Sequence, residues 1–220
     1  CSKCYSYYTY QCDSLMASPN GDKQWDSFLT EAIGKGLKGK QLHNAIPHRR
    51  MSATIYKNYP QGKITVTDFL LGQYYLYEDA LNSLEWNIES DSMKVVLGHE
   101  CQKATCSFRG RKWTAWFALD VPVSDGPLKF CGLPGLIMEV YDRGKQYYFC
   151  INGMQQVSAT PITFGNLGKD FKYFQKINRK DFLLSKYRYL RNQNSINEAS
   201  TGISLGSVDE ALKYDLIERE

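Results

Sequence analysis

The chain has 220 residues, of which 43% are hydrophobic and 14% aromatic, enough to bury the core of one large domain. Its formal charge of +4 is spread along the sequence, which gives no basis for a nucleic-acid or membrane-surface partner. No apolar run approaches the ~20 residues of a spanning helix, so no transmembrane segment is expected.

Sixteen tyrosines and ten phenylalanines lean towards β structure. Residues 1–12 are polar-aromatic and read as a strand or irregular edge. Ser18-Pro19-Asn20-Gly21 is a turn. Trp25, Phe28, Leu29, Ala32 and Ile33 then recur at helical spacing, after a possible cap at Asp22. Gly34, Gly36 and Gly39 end that helix, and Lys35, Lys38 and Lys40 lie near its negative end. From Arg50 the period changes. Met51, Ala53 and Ile55 alternate with polar neighbours, Pro60-Gln61-Gly62 turns the chain, and Ile64 and Val66 alternate again, which is a hairpin. Tyr74–Tyr77, Leu84–Ile88, Met93–Leu97, Cys101–Phe108 and Lys112–Leu119 continue as strands, with Arg109-Gly110 as a turn. Trp113, Ala115 and Phe117 point one way, and Thr114, Trp116 and Ala118 the other. Both faces are partly apolar, so this strand is expected to be central and covered on each side.

The stretch 123–137, V-S-D-G-P-L-K-F-C-G-L-P-G-L-I, is rich in Gly and Pro yet apolar. Leu133-Pro134-Gly135-Leu136 reads as a type II turn, which requires φ > 0 at Gly135. Asp125-Gly126-Pro127 reads as a second turn. A loop holding Phe130, Leu133, Leu136 and Ile137 is expected to pack across a sheet. No residue from Gly132 to Ile137 is ionisable or nucleophilic, so its role is architectural, with Leu133, Leu136 and Ile137 buried. Leu136–Tyr141 and Gln146–Asn152 form a further hairpin about Asp142-Arg143-Gly144, and Met154–Thr163 is a further candidate strand. A helix follows from a cap at Asn178, with Asp181 three residues on and an apolar face of Leu183, Tyr187 and Leu190. Ser207-x-x-Glu210 is a capping box for a last short helix.

G-P-L-K-F-C-G-L-P-G-L-I, preceded by F-R-G-R-K-W-T-A-W-F, resembles the signature of the GLPGLI family of exported proteins from Gram-negative bacteria. Gly126, Pro127, Phe130, Gly132, Leu133, Pro134, Gly135, Leu136 and Ile137 carry the motif. The resemblance extends to residues 55–68, to G-H-E-C-Q-K-A at 98–104, and to the ending K-Y-D-L-I-E-R-E. It departs at Leu128, where a Trp is usual, and at Cys131, where a Gly is usual. The family has no established biochemical activity. The resemblance implies a periplasmic or outer-membrane-associated location. Cys1 is either the lipid-bearing residue of a mature lipoprotein or an internal residue. The likeness of Ser2-Lys3-Cys4-Tyr5-Ser6 to an internal stretch of the family favours the second, with the signal peptide and N-terminal strands missing and residues 1–220 forming a single domain.

Seven cysteines in an exported protein permit disulfides and leave at least one thiol unpaired. Cys101 and Cys106 would stand ~17 Å apart on opposite faces of a straight strand, beyond the ~7 Å between Cα atoms that a disulfide tolerates. His43, His48 and Met51 are the types that bind copper, but Pro47 breaks any helix that would align them, and a pair of surface histidines on a loop is the favoured reading. His99 and Cys101 share one strand face and form a second weak metal candidate. Of these two, Cys101 looks like a recurring feature of the family pattern and His99 does not. Ser124-Asp125 lacks a G-x-S-x-G elbow, and Ser124 reads as a turn cap. Arg109 and Arg111 beside Trp113 and Trp116 are either a clamp for an anion or partner or a basic turn stacked on indoles.

The expected fold is α+β and mainly β: one long curved antiparallel sheet, a meander left open or as a half-barrel, with a few covering helices. The function expected is that of a non-enzymatic envelope protein that binds a small apolar ligand or an envelope partner in a groove of its sheet. No catalytic residue and no cofactor is assigned. A copper-handling protein and a hydrolase with an unrecognised site are the alternatives.

Overall fold

A computed structural model describes residues 1–5, 21–38, 41–42, 45, 53–156, 162, 173–202 and 216–218. Among the described residues the chain is mainly β, with open, largely antiparallel sheets and two long helices. The expected single sheet is instead two sheets of five strands. The first comprises β1 (Ser2–Tyr5), β2 (Thr54–Lys57), β3 (Lys63–Leu70), β4 (Gln73–Ala80) and the short β10 (Gln175–Lys176), in that spatial order. The second runs β5 (Asn87–Val96), β6 (His99–Phe108), β7 (Arg111–Ala118), β8 (Leu136–Asp142) and β9 (Tyr148–Cys150). Helix α1 is Gly21–Gly34 and α2 is Arg179–Thr201.

The division falls where the sequence suggested a strand from Leu84 to Ile88. Residues 81–86 make no ladder. Leu81, Leu84 and Trp86 pack into the core instead, and the Trp86 indole N–H donates to the Cys131 carbonyl at 2.8 Å. The outer edge of β4 is meanwhile taken by β10, which pairs with it in parallel at Tyr75 and Leu76. With that edge filled and the connection turned inward, β5 starts a new sheet.

Residues of both sheets meet in one core. Ile55, Ile64, Val66 and Tyr77 come from the first sheet, and Ala104, Trp113, Ala115, Phe117 and Val140 from the second. Strand β7 is third of five and covered on both faces, as its pattern required. Its inner face is the main core, while Ala118 joins a smaller outer cluster with Val96, Cys101 and Met138. Cys101 and Cys106 therefore sit on opposite faces of β6, one in each cluster. Among the described residues Cys1, Cys101, Cys106, Cys131 and Cys150 are free thiols.

Helix α2 opens at Asn178, whose side chain accepts from the Lys180 N–H at 2.8 Å. Of the expected face, Leu183 and Leu190 are half-buried, and Leu183 lines a cavity beside Phe182. Phe182 is the anchor, its ring tilted against those of Tyr75 and Tyr77, while Tyr187 is exposed. Arg179 and Lys186 lie one turn to either side of Phe182, held by carboxylates, so charge hides the stripe from a hydrophobicity pattern. Helix α1 begins at Gly21, so Asp22 lies in its first turn and does not precede it. Residues 151–156 form no strand, and the rest of the candidate strand to Thr163, apart from residue 162, lies outside the described residues, as do the turn at 18–20 and the helix expected after Ser207.

Candidate functional site: a charged cavity behind the glycine-rich loop

The loop from Leu119 to Gly135 crosses the core between β7 and β8. Three polar anchors hold it. Lys57 on β2 points inward, nearly fully buried, and its ammonium meets the Asp125 carboxylate and the carbonyls of Gly126 and Phe130. The Ser124 hydroxyl accepts from the Gly132 N–H at 3.1 Å, which is the turn-capping role expected of it. The Phe130 N–H donates to the Pro127 carbonyl at 3.0 Å, closing a tight turn with Leu128 at φ 53°. That turn drives Leu128, Lys129 and Phe130 inward. Phe130 then stacks edge-on against Trp113 and Phe108.

Two details of the loop differ from the sequence reading. Gly132, with φ +93°, is the glycine of the G-L-P-G segment in the left-handed region, and Gly135 is not. The Leu136 N–H donates to the Val121 carbonyl at 3.0 Å, so the bond that would close a turn from Leu133 goes elsewhere. Gly135 is required for another reason. A Cβ there would lie 2.0 Å from the carbonyl oxygen of Ala118 and 2.7 Å from its carbon. Leu133 and Ile137 are buried as expected, but Leu136 is only half-buried and packs on the outer cluster.

Lys129 enters an ion cluster that no local motif announces. Its ammonium lies 2.7 Å from Asp79 on β4, touches the Glu218 carboxylate, and sits over the Tyr77 ring. Arg179 reaches Glu218 at 3.2 Å and Asp79 at 3.7 Å. Arg109, in the β6–β7 turn, reaches Asp79 at 3.0 Å and Glu218 at 3.8 Å. Beside this cluster Arg111 donates from Nε to the Ile217 carbonyl at 3.1 Å and from Nη2 to the Leu216 carbonyl at 3.0 Å. Its remaining nitrogen bonds Asp142 and Gln146, both at 2.9 Å. Burial, and then the Glu218, Asp79 and Asp68 carboxylates, push the Tyr77 hydroxyl well above the usual tyrosine range, so it stays protonated.

Between this cluster and the core lies a cavity of about 110 Å³. Val66, Phe108, Trp113 and Phe182 give it apolar walls. Its polar end is made by Lys129 and Glu218 and by a second ion pair, Lys186 to Asp68 at 2.6 Å. These groups neutralise one another, so the cavity offers shape, apolar surface and a strong local field.

Arg109 and Arg111 both contact the chain's own segment 216–218, Arg109 through the Glu218 carboxylate and Arg111 through the Leu216 and Ile217 carbonyls. Trp113 and Trp116 do not join that contact. Trp113 is buried in the core and donates to the Phe108 carbonyl at 3.1 Å. Trp116 lies on the opposite face of β7, beneath the Lys94 ammonium, with its Nε1 buried and without an acceptor among the described residues. His99 bonds Asp120 at 2.7 Å, while burial raises the Cys101 thiol above its usual range and so opposes the thiolate a metal needs. No group of three or more ligating side chains converges among the described residues, and His43, His48 and Met51 lie outside them. No helix of the described residues is long and apolar enough to cross a membrane. Lys57, Asp79, Lys129, Arg179 and Glu218 were passed over in the sequence because each looks like an ordinary surface charge. The one usable signal was Lys129 inside an otherwise apolar loop.

A family model described as a protein of unknown function (Porph_ging) matches residues 109–139. The match begins at Arg109, follows β7 and the loop, and ends at Glu139 on β8. It therefore takes in Arg111, Trp113, Lys57's partner Asp125, Lys129 and the whole glycine-rich segment. Two crystal forms of PNGF-II, in space groups C2 and P21, are similar at 15% and 16% identity, with TM-scores of 0.39 and 0.41. The match covers 60% of this chain and 24% of those chains, so this chain aligns with about a quarter of their length. No curated protein matches the chain.

Proposed function

We propose that this chain is a GLPGLI-type protein of the cell envelope that binds a small, mainly apolar compound without transforming it. The observation that carries the binding reading is the cavity behind the loop, with aromatic walls and one charged end. At about 110 Å³ it is somewhat smaller than the ~150 Å³ engineered cavity that takes up benzene. It suits a compound with a single ring or a short chain. The non-enzymatic reading is supported by the pairing of the cavity's charged groups with one another, which leaves none poised beside a nucleophile. Export and the envelope location rest on the sequence resemblance carried by residues 126–137.

Benzene and phenol are the probes. Millimolar benzene is expected to raise the thermal midpoint of the wild-type protein and to perturb Trp113 fluorescence. Leu128→Phe, which fills the cavity from the loop, is expected to abolish both effects. Absence of either effect with both probes would overturn the binding reading. Ester hydrolysis that disappears in Ser124→Ala would overturn the non-enzymatic one.

A further inference from the structure

The ammonium of Lys129 carries three hydrogens, and three oxygens meet it: Asp79 at 2.7 Å, Glu218, and the Tyr77 hydroxyl at 3.4 Å. Lys186, the other ammonium on the cavity wall, is paired with Asp68 at 2.6 Å. A charged ligand would have to compete with ion pairs already formed in a nearly dry site. Tyr77 differs from these groups. It lines the cavity and is only 6% exposed. Its oxygen accepts from Lys129, but no described residue takes the hydrogen of its own hydroxyl. The ring is pinned, with the Phe182 ring 5.6 Å away between centroids and the Lys129 ammonium 4.8 Å from its centre. Burial, and then the Glu218, Asp79 and Asp68 carboxylates, oppose loss of its proton, so it remains a donor. A buried O–H of this kind needs an acceptor.

Resting on the reading of the cavity as a binding site, we propose that its ligand is an uncharged compound with a single ring or short chain and one oxygen acceptor, and that Tyr77 selects it by donating a hydrogen bond to that oxygen. The apolar walls, Val66, Phe108, Trp113 and Phe182, take the hydrocarbon part. The Lys129 ammonium on the Tyr77 oxygen polarises the O–H and strengthens it as a donor. A pure hydrocarbon fills the same space but leaves the O–H without an acceptor, which costs affinity.

The test compares phenol with toluene, which share a shape but carry a hydroxyl in one and a methyl in the other. Dissociation constants for both are measured from amide chemical shifts of the full chain, as wild type and as Tyr77→Phe. Hydration of the free ligands is common to the two proteins and cancels in the ratio of the constants. One hydrogen bond is worth roughly two- to tenfold. Tyr77→Phe should therefore lower the preference for phenol over toluene at least twofold, with toluene bound no more weakly than by wild type. A smaller change in that preference would overturn the proposal and leave the cavity as a binding site. Failure of both compounds to bind wild type would defeat the cavity reading, and this one with it. If Tyr77→Phe does not fold, a crystal of the wild-type protein with phenol decides. A phenol oxygen within ~3.2 Å of the Tyr77 hydroxyl supports the proposal, and one placed anywhere else overturns it. Benzoate, the same ring with a charge, should give no saturable shift, and saturable binding would overturn the restriction to uncharged ligands.

Discussion

Gly135→Ala is the sharpest probe of the loop. Packing alone makes this glycine necessary, so the smallest possible side chain already carries the full penalty. The added Cβ would lie 2.0 Å from the Ala118 carbonyl oxygen, where about 3.0 Å is the least that real contacts show. About 1 Å of movement is needed, and the obstacle is backbone, which cannot rotate away. Moving it pulls β7 from β8 where Ala118 faces Leu136, and stretches the 3.0 Å bond from Leu136 to Val121. Overpacking of this kind costs roughly 1–3 kcal/mol, and one weakened buried hydrogen bond adds about 1–2 kcal/mol. A loss of about 2–5 kcal/mol is a large part of a typical ~5–15 kcal/mol stability. For a chain of this length it lowers the thermal midpoint by roughly 4–20 °C. Urea denaturation followed by tryptophan fluorescence measures it, as a lower midpoint with an unchanged slope. Gly144→Ala is the control. Its nearest neighbours lie 3.7 Å away or more and its φ is not positive, so its stability should stay within ~1 kcal/mol of wild type or rise slightly. A Gly135→Ala protein within about 1 kcal/mol of wild type would refute the close-approach argument and return the loop to an exposed docking role.

Lys57→Ala leaves Asp125 and two loop carbonyls without their buried cation, and should cost about 3–5 kcal/mol in denaturant. Asn178→Ala removes the cap of α2 and should cost about 1 kcal/mol, read as a lower thermal midpoint. Burial pushes the Cys106 thiol from 9.0 up to about 12, so at pH 8 its thiolate is roughly 1000-fold scarcer than that of an ordinary thiol. A disulfide reagent should therefore label Cys1 and Cys150 quickly and Cys106 only on unfolding, and rapid native labelling of Cys106 would contradict its place in the core. Stability should also fall as pH rises above about 9. There the unfolded chain releases protons from Cys106 and Tyr77 that the native protein still holds, so the native state binds more protons and alkali favours unfolding. Cys106→Ala should flatten the part of that decline between pH 9 and about 12, and an identical slope in both proteins would show that the thiol is not responsible.

Much of this protein is local in origin. Alternation marked the strands from Ile55 to Val66 and from Cys101 to Ala118 because side chains of a strand point to opposite faces whatever lies beyond them. The two-sided apolar pattern around Trp116 placed β7 inside its sheet, and the Asn178 cap set the start of α2. The loop at 123–137 was legible as buried architecture from its glycines, prolines and lack of reactive groups. What required the tertiary structure depends on partners distant in sequence. The break between the sheets follows from Trp86 meeting Cys131 and from β10, two residues long, taking the edge of β4. Gly135 looked like a turn residue because Pro-Gly favours a turn, yet its neighbour is Ala118, on the preceding strand. The face of α2 was partly misread because Arg179 is buried and Lys186 half-buried by pairing, and a charge is polar in any sequence pattern until its counter-charge is found. Asp79, Lys129, Arg179 and Glu218 come from four separate parts of the chain. Coulombic pairing needs proximity and no sequence periodicity, so only the folded chain brings them together.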